Sequence, residues 1–162
     1  MKGNPLTLLG PELRQSQQAP DCELVANDLS TVNLSSYRKR VCIISSVPSL
    51  DTSVCSAMTR RFNEEAGKLS EDVVVLTVSM DLPFAQKRWC GAEGIEKVIT
   101  LSDHREASFG KNYGVLIKEL RLLARTIFVV DKQGSIRYIE RVKEQTNEPD
   151  YEAVVNAAKE LL

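Results

Sequence analysis

Apolar and polar positions along the chain follow two spacings. Val41 to Val47 and Val73 to Ser79 are nearly continuous runs of apolar and β-branched residues, the pattern of strands covered on both faces. Leu122 to Val130 is a third such run. Ile136 to Val142 follows it across Asp131-Lys132-Gln133-Gly134, which predicts a hairpin. Cys22 to Val25, Leu29 to Leu34 and Val98 to Leu101 are shorter extended pieces, the second ending in a turn at Ser35-Ser36. Helical spacing lies between the strands. Val54, Met58, Phe62 and Ala66 share one face with Leu69, predicting a helix from about Ser53 to Leu69. Pro83 to Cys90 reads as a short helix opened by proline and ended by Gly91. Ala107 to Tyr113 reads as a turn or two of helix ended by Gly114. Pro149 opens a last helix striped by Tyr151, Val154 or Val155, Ala158 and Leu161. Leu6 to Arg14, broken at Gly10-Pro11, reads as a small hairpin or hook.

Strands that alternate with helices and then close with a hairpin and a helix make an α/β fold, a mixed sheet flanked by helices. The order β-α-β-α-β-β-α is compatible with a thioredoxin-like core, carrying an N-terminal β-hairpin extension over residues 1–18. A chain of 162 residues is one domain in size, so residues 1–162 are expected to form a single domain. The 21 basic and 22 acidic residues form no long run of one sign, so neither a nucleic acid nor a membrane surface is an expected partner. The apolar patch Leu6 to Leu9 is too brief for a signal-peptide core, which gives a cytoplasmic expectation. In that compartment four cysteines do not form a structural disulfide framework. Cys22, Cys42, Cys55 and Cys90 contain no C-x₂₋₄-C pair and His104 stands alone, so no metal site is expected. The absence of C-x-x-C also removes a dithiol oxidoreductase of the thioredoxin type.

The candidate chemistry centres on Pro48-Ser49-Leu50-Asp51-Thr52-Ser53-Val54-Cys55, a strand-to-helix connection. Asp51, Thr52 and Ser53 are all N-cap types, so the helix begins among them and Cys55 falls in its first turn. That position favours negative charge, which on a cysteine is a thiolate. Thr52 reads either as a cap alone or as a hydroxyl close to the sulfur, and Pro48 either as a turn former or as a shield for it. Arg125 stands inside the most apolar stretch of the chain, and a charge there needs a partner. It reads equally as a strand-end arginine facing water or an acid, and as a partner for a thiolate. Cys90 reads on its own as a small hydrophobe at a helix end, and Cys42 as an inert core residue.

Pro48-x-x-x-Thr52-x-x-Cys55 after a strand resembles the active-site signature of the peroxiredoxins. The segments Lys2 to Pro5, Ala19-Pro20-Asp21, Phe84 to Gly94, Tyr113-Gly114-Val115 and Leu123-Ala124-Arg125 resemble the thiol peroxidase branch, in order and over nearly the whole chain. The resemblance implies a peroxidase in which Cys55 is the peroxidatic cysteine and Cys90 the resolving one. It further implies an intramolecular Cys55–Cys90 disulfide, active-site roles for Thr52, Arg125 and Pro48, and a hydroperoxide as substrate. No cofactor is implied; thioredoxin is the implied reductant and a homodimer the implied assembly. A sensor that relays a disulfide from Cys55 to a partner protein is the alternative. Two features depart from the branch. Arg14 to Gln18 lacks the glycine usually found before Ala19, and the connection Ile117 to Leu122 is short. Cys22 stands where the branch usually carries an aromatic residue, which gives it a core role and leaves an oxidative pairing with Cys42 open.

Overall fold

The structure is a computed structural model describing residues 1–162. Its strands are β1 (Leu8–Leu9), β2 (Glu23–Val25), β3 (Thr31–Asn33), β4 (Val41–Ser46), β5 (Val73–Ser79), β6 (Val98–Ser102), β7 (Leu116–Ile117), β8 (Leu122–Leu123), β9 (Thr126–Val130) and β10 (Ile136–Arg141). Its α-helices are α1 (Ser53–Ala66), α2 (Pro83–Glu93), α3 (Ser108–Asn112) and α4 (Tyr151–Lys159), and Leu34–Tyr37 forms a 3₁₀ turn. The main sheet has the order β10-β9-β4-β5-β6-β2-β3. β4, β5 and β6 run parallel, joined by α1 and α2, while β9 lies antiparallel beside β4. The mixed α/β sheet flanked by helices is the thioredoxin-like architecture the pattern predicts.

Both faces of the centre are covered, which is why β4 and β5 read as unbroken apolar runs. Cys42, Ile44, Val74, Leu76 and Val78 pack with Phe109, Tyr113 and Phe128 on one face. Val41, Ile43, Val75, Ile127 and Val129 pack with Met58, Phe62 and Val154 from α1 and α4 on the other.

Several boundaries differ from the sequence reading, each for a local reason. α1 ends at Ala66, and its Gly67 cap bonds back to Asn63. α2 passes through Gly91 and stops at Gly94, whose φ of 65° is left-handed. The Gly94 and Ile95 amides both close on the Cys90 carbonyl, and Ile95 is buried as the anchor of that cap. Gly91 has open space around it and no capping duty. α4 is capped by the Asp150 carboxylate, which accepts from the Ala153 amide at 3.0 Å, with Pro149 just outside. The run 122–130 is two strands in two sheets, with Ala124 and Arg125 at the crossing. The N-terminal extension supplies β1, and β1 pairs antiparallel with β7 in a small sheet β1-β7-β8.

Candidate active site

Strand register brings the candidate residues together. β4 and β9 pair antiparallel with Ser46 opposite Thr126, so Val47 and Arg125 leave the sheet side by side. β4 and β5 pair parallel with Ser46 beside Val78, and the Val47 amide continues the ladder to the Val78 carbonyl at 3.0 Å. The start of α1, the start of β9 and the end of β5 therefore meet at one end of the central strands.

Thr52 is the N-cap of α1, in extended backbone with φ −88° and ψ 143°. Its hydroxyl oxygen accepts from the Cys55 amide at 3.4 Å, and its own proton goes to the Ser49 carbonyl at 3.0 Å. The cap reading is thus met in full, with Thr52 exposed directly beside a Cys55 that is 0% exposed. Pro48 is buried in the approach to the helix. The first-turn amides of α1 have no carbonyl partner inside the helix, which adds positive potential around the sulfur.

Arg125 is 2% exposed, and no carboxylate lies within ion-pair distance of it. Its Nη2 donates to Cys55 Sγ at 3.3 Å and its Nη1 to Met58 Sδ at 3.6 Å. The guanidinium is held by Gln145, whose carbonyl accepts from Arg125 Nε at 3.1 Å and Nη2 at 2.9 Å. The Gln145 side chain accepts from the Arg125 amide and donates to the Val142 carbonyl at 2.8 Å. The buried guanidinium thus has no carboxylate partner, and Cys55 is the one cysteine whose sulfur it reaches. Gln145 was invisible to pattern reading, because it sits in a polar stretch and acts largely through its backbone.

Asp81 is the other residue the sequence did not single out. Its carboxylate accepts from Ser49 Oγ at 2.6 Å, the Leu50 amide at 2.8 Å and Ser79 Oγ at 2.7 Å. It fixes the 48–51 connection from below, and α2 starts two residues later.

Cys90 lies near the end of α2, half-buried, with its sulfur 3.5 Å from Thr100 Oγ1. Thr100 in turn bonds Asn27 Oδ1 at 3.2 Å. Burial pushes the Cys90 thiol up, with Thr100 and Asn27 pulling partly back. Cys90 borders an open cleft of about 370 Å³ formed with Ala26, Asn27, Val98 and Thr100. All four cysteines are free thiols, with Cys55 and Cys90 unbonded. Cys22 and Cys42 belong to the opposite core face, and burial raises both thiols, Cys42 to about 11. No cluster of His, Cys, Asp and Glu suited to a metal ion is formed.

A cysteine in the first turn of a helix beside a thioredoxin-like sheet defines a thioredoxin-fold thiol protein. A family model described as Redoxin matches residues 14–155. The thiol peroxidase of Oceanobacillus iheyensis is 59% identical over 155 residues, covering 96% of this chain and 94% of that one. That of Bacillus subtilis is 57% identical over 161 residues, with 99% and 96% covered. The crystal structure of a peroxiredoxin-like protein from Aquifex aeolicus superposes with a TM-score of 0.93 at 46% identity, covering 99% of this chain and 95% of that one. The chain belongs to the redoxin family, in the thiol peroxidase branch of the peroxiredoxins.

Proposed function

We propose that this chain reduces hydroperoxides through Cys55. The observation that carries the reading is the Arg125 guanidinium, buried without a carboxylate and donating to Cys55 Sγ at 3.3 Å. The Cys55 thiolate attacks one peroxide oxygen, the O–O bond breaks, and the departing oxygen takes a proton to leave as water or an alcohol. Cys55 becomes a sulfenic acid. Arg125 stabilises the charge that develops on the departing oxygen, and Thr52 turns its hydroxyl from Ser49 to the peroxide. Pro48 shields the sulfur. The Cys90 thiol then displaces the sulfenic oxygen as water, forming the Cys55–Cys90 disulfide. A dithiol reductant of the thioredoxin type restores both thiols. The working form is a cytoplasmic homodimer, each chain a single domain with residues 1–18 as its extension. No helix is long and apolar enough to cross a membrane.

Turnover separates this reading from a disulfide-relaying sensor, and the names of the relatives favour turnover. NADPH consumption with peroxide, thioredoxin and its reductase is expected to continue for many cycles. It is abolished in Cys55→Ser and falls roughly 100-fold in Arg125→Lys, because lysine lacks the planar fork that reaches Gln145 and Cys55 together. A single stoichiometric oxidation would instead support the sensor. Peptide mapping after one equivalent of peroxide is expected to show a Cys55–Cys90 link, and any other link overturns the role of Cys90.

A further inference from the structure

We infer that Asp81 is a positioning residue that decides the fate of oxidised Cys55, an inference that rests on the roles proposed above for Cys55 and Cys90. Its carboxylate is tied by three bonds. Ser49 Oγ and the Leu50 amide come from the loop that leads into Cys55, and Ser79 Oγ comes from the end of β5. The Asp81 carbonyl accepts from Ser102 Oγ at 2.5 Å, so the residue is anchored to β6 as well.

Asp81 also leads directly into α2, the helix of Cys90, with Leu82 as its N-cap. Gln86 of that helix, 0% exposed, donates to Ser79 Oγ at 2.9 Å and to the Leu101 carbonyl at 3.0 Å. One hydrogen-bonded cluster thus joins the two cysteine-bearing segments. Hydrogen bonds to a carboxylate are the stronger kind, so Asp81 is the centre of that joint.

The joint matters at the sulfenic acid, where two reactions compete. In the closed loop, Cys55 sulfenic acid meets a second peroxide, which oxidises it to sulfinic acid and leaves as water or an alcohol. In the opened loop it meets Cys90, the S–S bond forms and the sulfenic oxygen leaves as water. An S–S bond of about 2.04 Å demands that two sulfurs now held by different partners come together. Opening the loop breaks the Ser49 and Leu50 bonds to Asp81. The carboxylate therefore favours attack on peroxide and holds back the disulfide.

Asp81→Asn keeps the shape but replaces one accepting oxygen with an NH2 group, which donates and cannot accept. The expected result is attack on the first peroxide slowed about tenfold, with the ratio of disulfide to sulfinic acid at high peroxide raised at least about threefold. Rapid-mixing kinetics and intact mass over a peroxide titration read both. Ser49→Ala removes only the loop's hydroxyl bond and is expected to move the ratio in the same direction by less. It decides the matter if Asp81→Asn does not fold. A merely structural aspartate would lower the melting temperature and leave the ratio alone. An unchanged ratio in the folded variant overturns the inference, whatever happens to stability. A wild-type disulfide other than Cys55–Cys90 would overturn the roles on which it rests, and the wild-type control reports that separately.

Discussion

Cys42 and Cys55 are 5% and 0% exposed, yet their surroundings are opposite. Cys55 has a guanidinium donating to its sulfur. The Cys42 sulfur faces the carbonyls of Tyr37 and Arg40 at 3.5 and 3.6 Å, partners that suit a thiol and repel a thiolate. Burial pushes the Cys42 thiol up to about 11, above the roughly 8.5 of an unfolded cysteine. The unfolded chain then releases its proton first. Stability from this residue is complete below about pH 8.5 and is lost as pH rises toward 11, by at most about 1.4 kcal/mol per pH unit. Urea unfolding at a series of alkaline pH values is expected to show this decline, with a shallower slope in Cys42→Ala. Two of the site residues break a local pattern, while the roles of Cys90, Thr52 and Pro48 rest on the family resemblance alone. Arg125 is a charge in an apolar run, and Cys55 follows three cap residues. Asp81 and Gln145 break no pattern, since an aspartate before a helix and a glutamine in a polar loop are ordinary, and only register shows what they hold.

At the scale of elements, α2 shows why a helix end is harder to read than a helix. Gly91 and Gly94 look alike in sequence. The choice falls to Gly94 because burying Ile95 just beyond it fixes the chain direction, and φ of 65° at Gly94 permits the turn. Cys90 is then the residue whose carbonyl receives both closing bonds, from the Gly94 and Ile95 amides. Moving Cys90 toward Cys55 pulls on that cap. Hydrogen exchange at Gly94 and Ile95, and across 52–60 and 84–94, is expected to quicken on oxidation. Equal protection in both redox states would mean the disulfide forms without unwinding. The run 122–130 was misread as one strand for a related reason. Apolar continuity records burial, and burial is the same whether the residues serve one sheet or two.

Across the whole molecule, the fold class was legible because the alternation of covered strands and striped helices leaves few arrangements. The packing of the N-terminal hook was not, since its partners lie far along the chain. Gly10 has φ of 103°, and a Cβ there would sit 2.0 Å from the Lys111 carbonyl oxygen. Gly114 has φ of 66°, and a Cβ there would sit 1.9 Å from the Pro11 carbonyl oxygen. The two glycines let the hook lie backbone to backbone on the end of α3. Gly114→Ala is expected to cost roughly 1–3 kcal/mol in urea unfolding, since backbone on both sides must move.

That hook has a consequence for the order of events during synthesis. The Lys2 and Gly3 amides bond the Glu144 carboxylate, the Thr7 amide bonds Glu119, and β1 pairs with β7. Apart from the local bonds between Met1 and Asn4, residues 1–9 therefore find their hydrogen-bond partners only beyond residue 115. A nascent chain leaving the ribosome carries this hook as a loose thread and ties it down only after the second half has emerged.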